Sequence, residues 1–211
     1  QELDRILRSC YNHSLDEQAL QTIALLRSIA NRFDQPLSHV FACLGLLDTV
    51  DLSGGEEPAD PFNQIFNNRL ADIDRAYITV SNERPEAYKT YRPLTCQGDL
   101  LAPHNKAYRR RLQQTLGLSE KDLQLIVGKF RERHQANSAN PAVFNSDSPM
   151  DLAALSLLFR LSRWSEWLEM SYRELFDLLD VLEGDPAIRD FASFGALVHY
   201  PLDHNNVYAI L

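Results

Sequence analysis

The chain has 211 residues, is 45% hydrophobic and 24% charged, and carries a formal net charge of −8. That composition excludes a disordered chain, and the acidic balance argues against a general nucleic-acid binder, which carries a basic excess. The stretch Gln35 to Leu47, which has no charged side chain, is far short of the roughly 20 apolar residues of a membrane-spanning helix, and no basic region followed by an apolar one opens the chain as a secretory signal would.

A first residue of Gln1 rather than Met fits a piece of something longer. Ser14-Leu15-Asp16-Glu17 has the capping-box pattern, in which a Ser and the acid three residues later satisfy each other's backbone N–H groups at a helix start. Cys10 and His13 share helical spacing near it, but one pair is not a site. The spacing then predicts a helix over Ile23–Phe33 and a second over Ser38–Val50, with Ser38 capping the second after Pro36. Asp51 to Pro61, with Ser-Gly-Gly, two Pro and several acids, is an expected loop. Residues Ile78 to Tyr91 have weak periodicity and fit loop, short helix or a strand pair.

Two further helix pairs follow. Lys106–Leu116 and Ser119–Arg133 are joined at Ser119-Glu120-Lys121-Asp122, the Asp version of the box. A second expected loop, Asn137 to Pro149, is rich in Asn, Ser and Pro. Ala154, Leu157, Leu158, Leu161, Trp164 and Leu168 then draw one apolar stripe, and Leu175, Leu178, Leu179 and Leu182 another. Between them stands the full box Ser171-Tyr172-Arg173-Glu174. The core of this pair is expected at Leu158, Leu161, Trp164, Leu175, Phe176 and Leu179. From Phe191 to Leu211 the chain turns apolar, as a helix or hairpin cut from its parent would. The fold expected is all-α: stacked αα-hairpins forming an irregular helical bundle, one helical domain over residues 1–211 with ordered loops near 51–61 and 137–149.

Charge is uneven along this plan. Residues 1–83 hold 6 Lys+Arg against 13 Asp+Glu, residues 84–133 hold 11 against 5, and residues 134–211 hold 4 against 11. The basic middle either packs on its acidic flanks, forms a partner surface, or is a solvated helix face; the last reading is preferred for Arg109, Arg110, Arg111, Lys129, Arg131 and Arg133.

Signs of chemistry are few. Pro201 separates His199 from His204, so with Asp203 they do not form the one-faced pair of a zinc helix. Phosphate-cradle, nucleophile-elbow and dinucleotide motifs are absent from the sequence, and Gly54-Gly55 reads as a turn. Carboxylate pairs Glu166/Glu169 and Asp177/Asp180 read as solvated faces, Trp164 and Trp167 as packing, and Cys10, Cys43 and Cys96 as free thiols. The expectation is therefore no catalytic residue, no metal and no cofactor.

Three stretches carry a family resemblance. Leu155–Glu183, LSLLFRLSRWSEWLEMSYRELFDLLDVLE, resembles the helical hairpin of the A subunits of bacterial insecticidal toxin complexes (Tc toxins), where "LxLLxRxxxLxxxLxxSxxELxxLL" recurs. Asp60–Asn68, DPFNQIFNN, is similar to a segment with an aromatic–x–x–x–Phe–x–Asn motif ahead of it. His104–Ile126, HNKAYRRRLQQTLGLSEKDLQLI, resembles the helix–LS–helix between the two. Related plasmid-borne virulence A proteins carry the same segment.

The resemblance implies a non-enzymatic scaffold piece of the α-helical shell of a large subunit that forms homopentamers, binds target cells and translocates a toxic enzyme. It implies a secreted or cell-surface bacterial toxin, with the rest of the subunit as partner. The acidic balance argues against nucleic acid as a partner, and the charges beside the stripes at Arg160, Arg163, Glu166, Glu169 and Arg173 argue against insertion of this segment into membrane. The matched residues Leu158, Arg160, Trp164, Leu168, Ser171, Glu174, Leu175, Leu178 and Leu179 are structural in this reading. Two alternatives stay open: a helical protein–protein interaction module of an unrelated regulator, and an all-helical enzyme with a site that has no motif.

Overall fold

Cap-and-stripe sequences favour helix, and helix dominates. In the computed structural model, which describes residues 17–43, 47, 61–67, 75–80, 90–136, 143–144 and 150–184, 68% of those residues are α-helical. The chain divides into two compact units, Gln1–Leu46 with Leu179–Leu211, and Leu47–Leu178, where the sequence suggests one domain. The expected features at Cys10, His13, Ser14, residues 51–60, 137–142 and 145–149, and 185–211 lie outside the described residues.

The first unit contains α1 (Glu17–Arg32) packed against α2 (Leu37–Cys43). Leu26, Ile29 and Ala30 are buried on α1, and Val40 and Cys43 on α2, the three-and-four spacing of one helical face. Ser38 stands inside the second helix rather than ahead of it. Helix α2 starts one residue earlier, and the Pro36 carbonyl accepts the N–H groups of His39 and Val40. The expected continuation to Val50 is also interrupted, because Leu47 is not helical.

The second unit contains α3 (Pro61–Phe66), β1 (Ala76–Ile78), β2 (Arg92–Leu94), a 3₁₀ turn (Pro103–Asn105), α4 (Lys106–Leu116), α5 (Glu120–Ala136), α6 (Leu152–Trp167) and the start of α7 (Tyr172–Gly184). The strands correct the all-α expectation: β1 and β2 pair in parallel, Ala76 with Arg92, Tyr77 with Pro93 and Ile78 with Leu94. Helix predominates, but the fold includes a small sheet. All three β1 residues are buried, so its side chains show none of the in–out alternation that marks a strand in sequence. Arg92 donates its N–H to Arg75 and Leu94 accepts from Thr79, so Pro93 faces away from β1. A residue without an N–H at the outward position leaves that edge poor in donors for further strand pairing.

Helix α6 is more deeply placed than one stripe suggests. Every residue from Ala154 to Ser162 is buried, including Leu155 and Phe159, which lie off the stripe. Helix α4 packs on α3 and on α6. Helix α5 meets α7 through the rings of Phe130 and Phe176, edge to face with centroids 6.2 Å apart.

Three helix ends repeat one geometry. Asp34, Gly117 and Glu169 have left-handed backbones, with φ of 50°, 68° and 52°. In each case the next residue's N–H reaches back five positions: Gln35 to Ala30, Leu118 to Gln113, Met170 to Ser165. In each case the following helix begins three residues after the left-handed one. This is the Schellman ending, which satisfies orphan carbonyls and turns the chain sharply. Glycine adopts it without steric cost; aspartate and glutamate do not. A Cβ at Gly117 would meet no atom within 4 Å, so any cost of one there is conformational. Gly117→Ala is therefore expected to destabilise by about 1 kcal/mol and Glu169→Gly to stabilise by up to about 1 kcal/mol in urea unfolding. Equal and opposite signs at the two sites are the test; a stabilising Gly117→Ala would contradict the left-handed turn.

Candidate functional site

The residues singled out by sequence fall into two kinds. Leu158, Leu161, Trp164, Leu175, Phe176 and Leu179 are buried, while Leu168 is half-buried at the end of α6. Ser171 and Glu174 are exposed and form a reciprocal cap: the Ser171 N–H and hydroxyl donate to Glu174 Oε2 at 2.8 and 2.7 Å, and the Glu174 N–H donates to Ser171 Oγ at 3.3 Å. Those two bonds to the carboxylate hold the Glu174 carboxyl below its ordinary value. Ser119 and Asp122 make the same exchange at the start of α5. Glu166 pairs with Arg163 at 2.6 Å, and Glu169 and Asp177 are exposed.

The polar centre of the second unit lies elsewhere, where residues 95–105 meet α4 and α5. Asn105, at the end of the 3₁₀ turn, is buried and its amide grips one residue twice. Its Oδ1 accepts the Gln97 N–H at 3.1 Å, and its Nδ2 donates to the Gln97 carbonyl at 2.9 Å and the Asp99 carbonyl at 2.7 Å. Asn67, just after α3, does the same to β1: Oδ1 accepts the Ile78 N–H at 2.8 Å and Nδ2 donates to the Ile78 carbonyl at 2.9 Å. A carboxamide has one donor side and one acceptor side, so it reproduces the pairing of a neighbouring strand. Neither asparagine stands out by sequence periodicity, because each serves a backbone segment rather than a side-chain stripe. Asp151, which caps α6 by accepting the Ala154 N–H at 2.9 Å, is likewise missed, although an acid directly before an apolar helical run is a readable signal.

The basic middle is not simply a solvated face. Arg109 donates to the carbonyls of Leu100 and Ala102 at 3.0 and 2.6 Å. Arg111, only 7% exposed, donates to the Phe66 carbonyl at the end of α3, 3.3 Å away. Arg131 donates to the Phe144 carbonyl and pairs with Asp99. Three of the six cations thus hold loop and helix-end carbonyls, a use suited to the forked guanidinium. Arg110 remains exposed.

Reactive groups here are suppressed rather than activated. Burial, then the charge of Asp99, pushes the Cys96 thiol up to about 11, so it is not a thiolate at neutral pH. The Tyr108 hydroxyl is buried and pushed up from its ordinary value, mainly by desolvation. Burial also raises the Asp99 carboxyl, but the Arg131 hydrogen bond, the Leu101 N–H and the charges of Arg131 and Arg109 outweigh it and hold it below 3.8. A carboxyl lowered by folding adds stability above the ordinary carboxylate range and loses it as pH falls through the lowered value. The advantage of the wild-type chain over Asp99→Asn in urea midpoint is therefore expected at about pH 6 and should shrink between about pH 4 and pH 2. An advantage that grows on acidification would reverse the sign and remove the ion pair from the account.

Among the described residues no group of three or more His, Cys, Asp or Glu is placed to hold a metal ion. Among them, too, no helix is long and apolar enough to cross a membrane. Comparison with protein families, with curated proteins and with solved structures finds no match.

Proposed function

We propose that this chain is a non-enzymatic scaffold segment of a Tc-type toxin A subunit, built of αα-hairpins laid one on another. The observation that carries this reading is the pairing of helices across two of the resembling stretches. The stretch from His104 holds α4, the Gly117–Ser119 turn and the start of α5; the stretch from Leu155 holds most of α6, the Glu169–Ser171 turn and α7 as far as Glu183. First helix meets first helix, α4 on α6, and second meets second through Phe130 and Phe176. One hairpin stacked on the next gives that pattern, as in helical arrays whose units bury their faces only against neighbours. The third stretch supplies α3 and Asn67, which brace β1 and accept Arg111. Ser171 and Glu174 of the motif support this reading because they cap each other at the start of the second helix and so fix where the hairpin turns.

In this reading the parent subunit forms a homopentamer, is secreted or displayed by a bacterium, and carries a toxic enzyme across the target membrane, while this segment belongs to its shell. The sequence of the DNA on either side of the coding region tests the proposal directly. A very long reading frame continuing into pore-forming helices and receptor-binding domains is expected. A short frame encoding a regulator would overturn it in favour of an interaction module.

A shell segment also has an expected behaviour of its own. Arg163, Glu166, Glu169 and Arg173 lie on partly or fully exposed parts of α6, its turn and α7. Each charge placed at a bilayer centre costs about 2.5–3.5 kcal/mol on insertion scales. The isolated chain is expected to leave anionic vesicles sealed at neutral pH. Dye release would assign the segment to the pore instead.

A further inference from the structure

Phe144 combines features that rarely meet in one residue. Its backbone is left-handed, with φ of 61°, a conformation that is an outlier for a bulky side chain. Its side chain is buried and stands edge-on to Phe130, with centroids 5.6 Å apart and planes at 83°. Its carbonyl accepts two bonds from one guanidinium, Arg131 Nε at 2.9 Å and Nη2 at 2.7 Å. That same Nη2 also donates to Asp99 Oδ1, which accepts the Leu101 N–H at 2.8 Å. Two consecutive residues of α5 therefore hold one residue of a different segment, Phe130 by its ring and Arg131 by its carbonyl. Asp99 ties the holding group to a third segment.

We propose that Phe144, Arg131 and Asp99 form a strained clasp, a conformational device that keeps the Phe144 ring closed over Phe130 and opens locally while the helices stay folded. Strained backbone persists only where its surroundings over-determine it, and among the described residues those surroundings include the Arg131 guanidinium and the Phe130 ring. Losing the guanidinium removes both bonds to the carbonyl together. The strain at Phe144 then favours release, the ring leaves Phe130, and the chain at Phe144 becomes accessible. Because Nη2 serves both Asp99 and Phe144, a displacement of the Asp99 segment reaches Phe144 through a single side chain. The clasp is a property of the fold and does not depend on which larger assembly holds the chain.

Limited proteolysis of the full chain with chymotrypsin, which cuts after Phe, reads this opening, with sites identified by mass spectrometry. In Arg131→Met, cutting after Phe144 is expected to rise at least about tenfold over wild type, with helical circular dichroism unchanged. Arg131→Lys keeps the charge facing Asp99 but lacks the fork, so a rise of the same sense is expected there. It is the deciding variant if Arg131→Met does not fold. Leu175→Ala serves as a globally weakened control, in which cutting after Phe144 should rise no more than at other sites. Cutting after Phe144 that matches wild type in the folded Arg131 variants, or rises only in step with every other site, overturns the clasp.

Discussion

Leu175→Ala is expected to lower the free energy of unfolding by about 2–5 kcal/mol, the range for emptying a packed site. Leu175 is 1% exposed on α7, beside the fully buried Phe176 whose ring meets Phe130. Truncation there removes transfer energy and leaves a cavity in the first turn of α7, whose backbone is fixed by the Leu175 N–H donating to the Ser171 carbonyl at 2.9 Å. Val181, on the same helix and 71% exposed, is the internal comparison. Val181→Ala should stay within about 0.5 kcal/mol. Urea midpoints at an unchanged slope measure both. Equal effects at the two positions would mean that α7 presents a different face.

The caps were the most readable part of this chain, for a physical reason. Ser119 with Asp122 and Ser171 with Glu174 bond across three residues, so everything the motif needs lies inside one turn. Gly117 announces its left-handed turn by having no side chain. Asp34 and Glu169 adopt the same turn at a conformational cost, and a side chain at either position does not announce it. The arginines show the same limit at longer range. Arg111 reaches a carbonyl 45 positions earlier, and Arg131 reaches Asp99 across 32. Read by helical spacing alone, both belong to a polar face; the fold turns them inward. A strand pair is one of three readings open for Ile78 to Tyr91, and it stays undecided in the sequence because the two strands are short, lie at the edges of that stretch and, for β1, are buried throughout. Burial all round α6 was hidden as well, since Ser156, Arg160 and Ser162 break its apolar run although all three are buried. Ser156 is accommodated by donating to the Leu152 carbonyl at 2.6 Å and accepting the Leu47 N–H at 2.9 Å, a partner no periodicity reveals.

Asn67 offers the sharpest test of how a polar side chain replaces a strand. It is 3% exposed, and both Ile78 backbone groups that it pairs belong to a residue that is fully buried. Asn67→Leu keeps the branched shape, with two bulkier methyl groups, and removes the pairing, so an N–H and a C=O are left buried without that partner. Each such group costs about 1–3 kcal/mol, which places the variant about 2–6 kcal/mol below wild type in urea unfolding. Asn67→Asp separates the two halves of the grip. A carboxylate still accepts the Ile78 N–H but sets an oxygen against the Ile78 carbonyl, and it buries a charge. Burial and the facing carbonyl raise its folded-state pKa above the ordinary carboxylate value, so the protonated acid, which can donate to the carbonyl, is the form that folding favours. A raised carboxyl contributes its stability at low pH and loses it as pH rises through the folded value. The deficit of Asn67→Asp relative to wild type should therefore be largest near about pH 7 and narrow toward about pH 4. A deficit independent of pH would mean that the side chain at this position fills space and does not pair with β1.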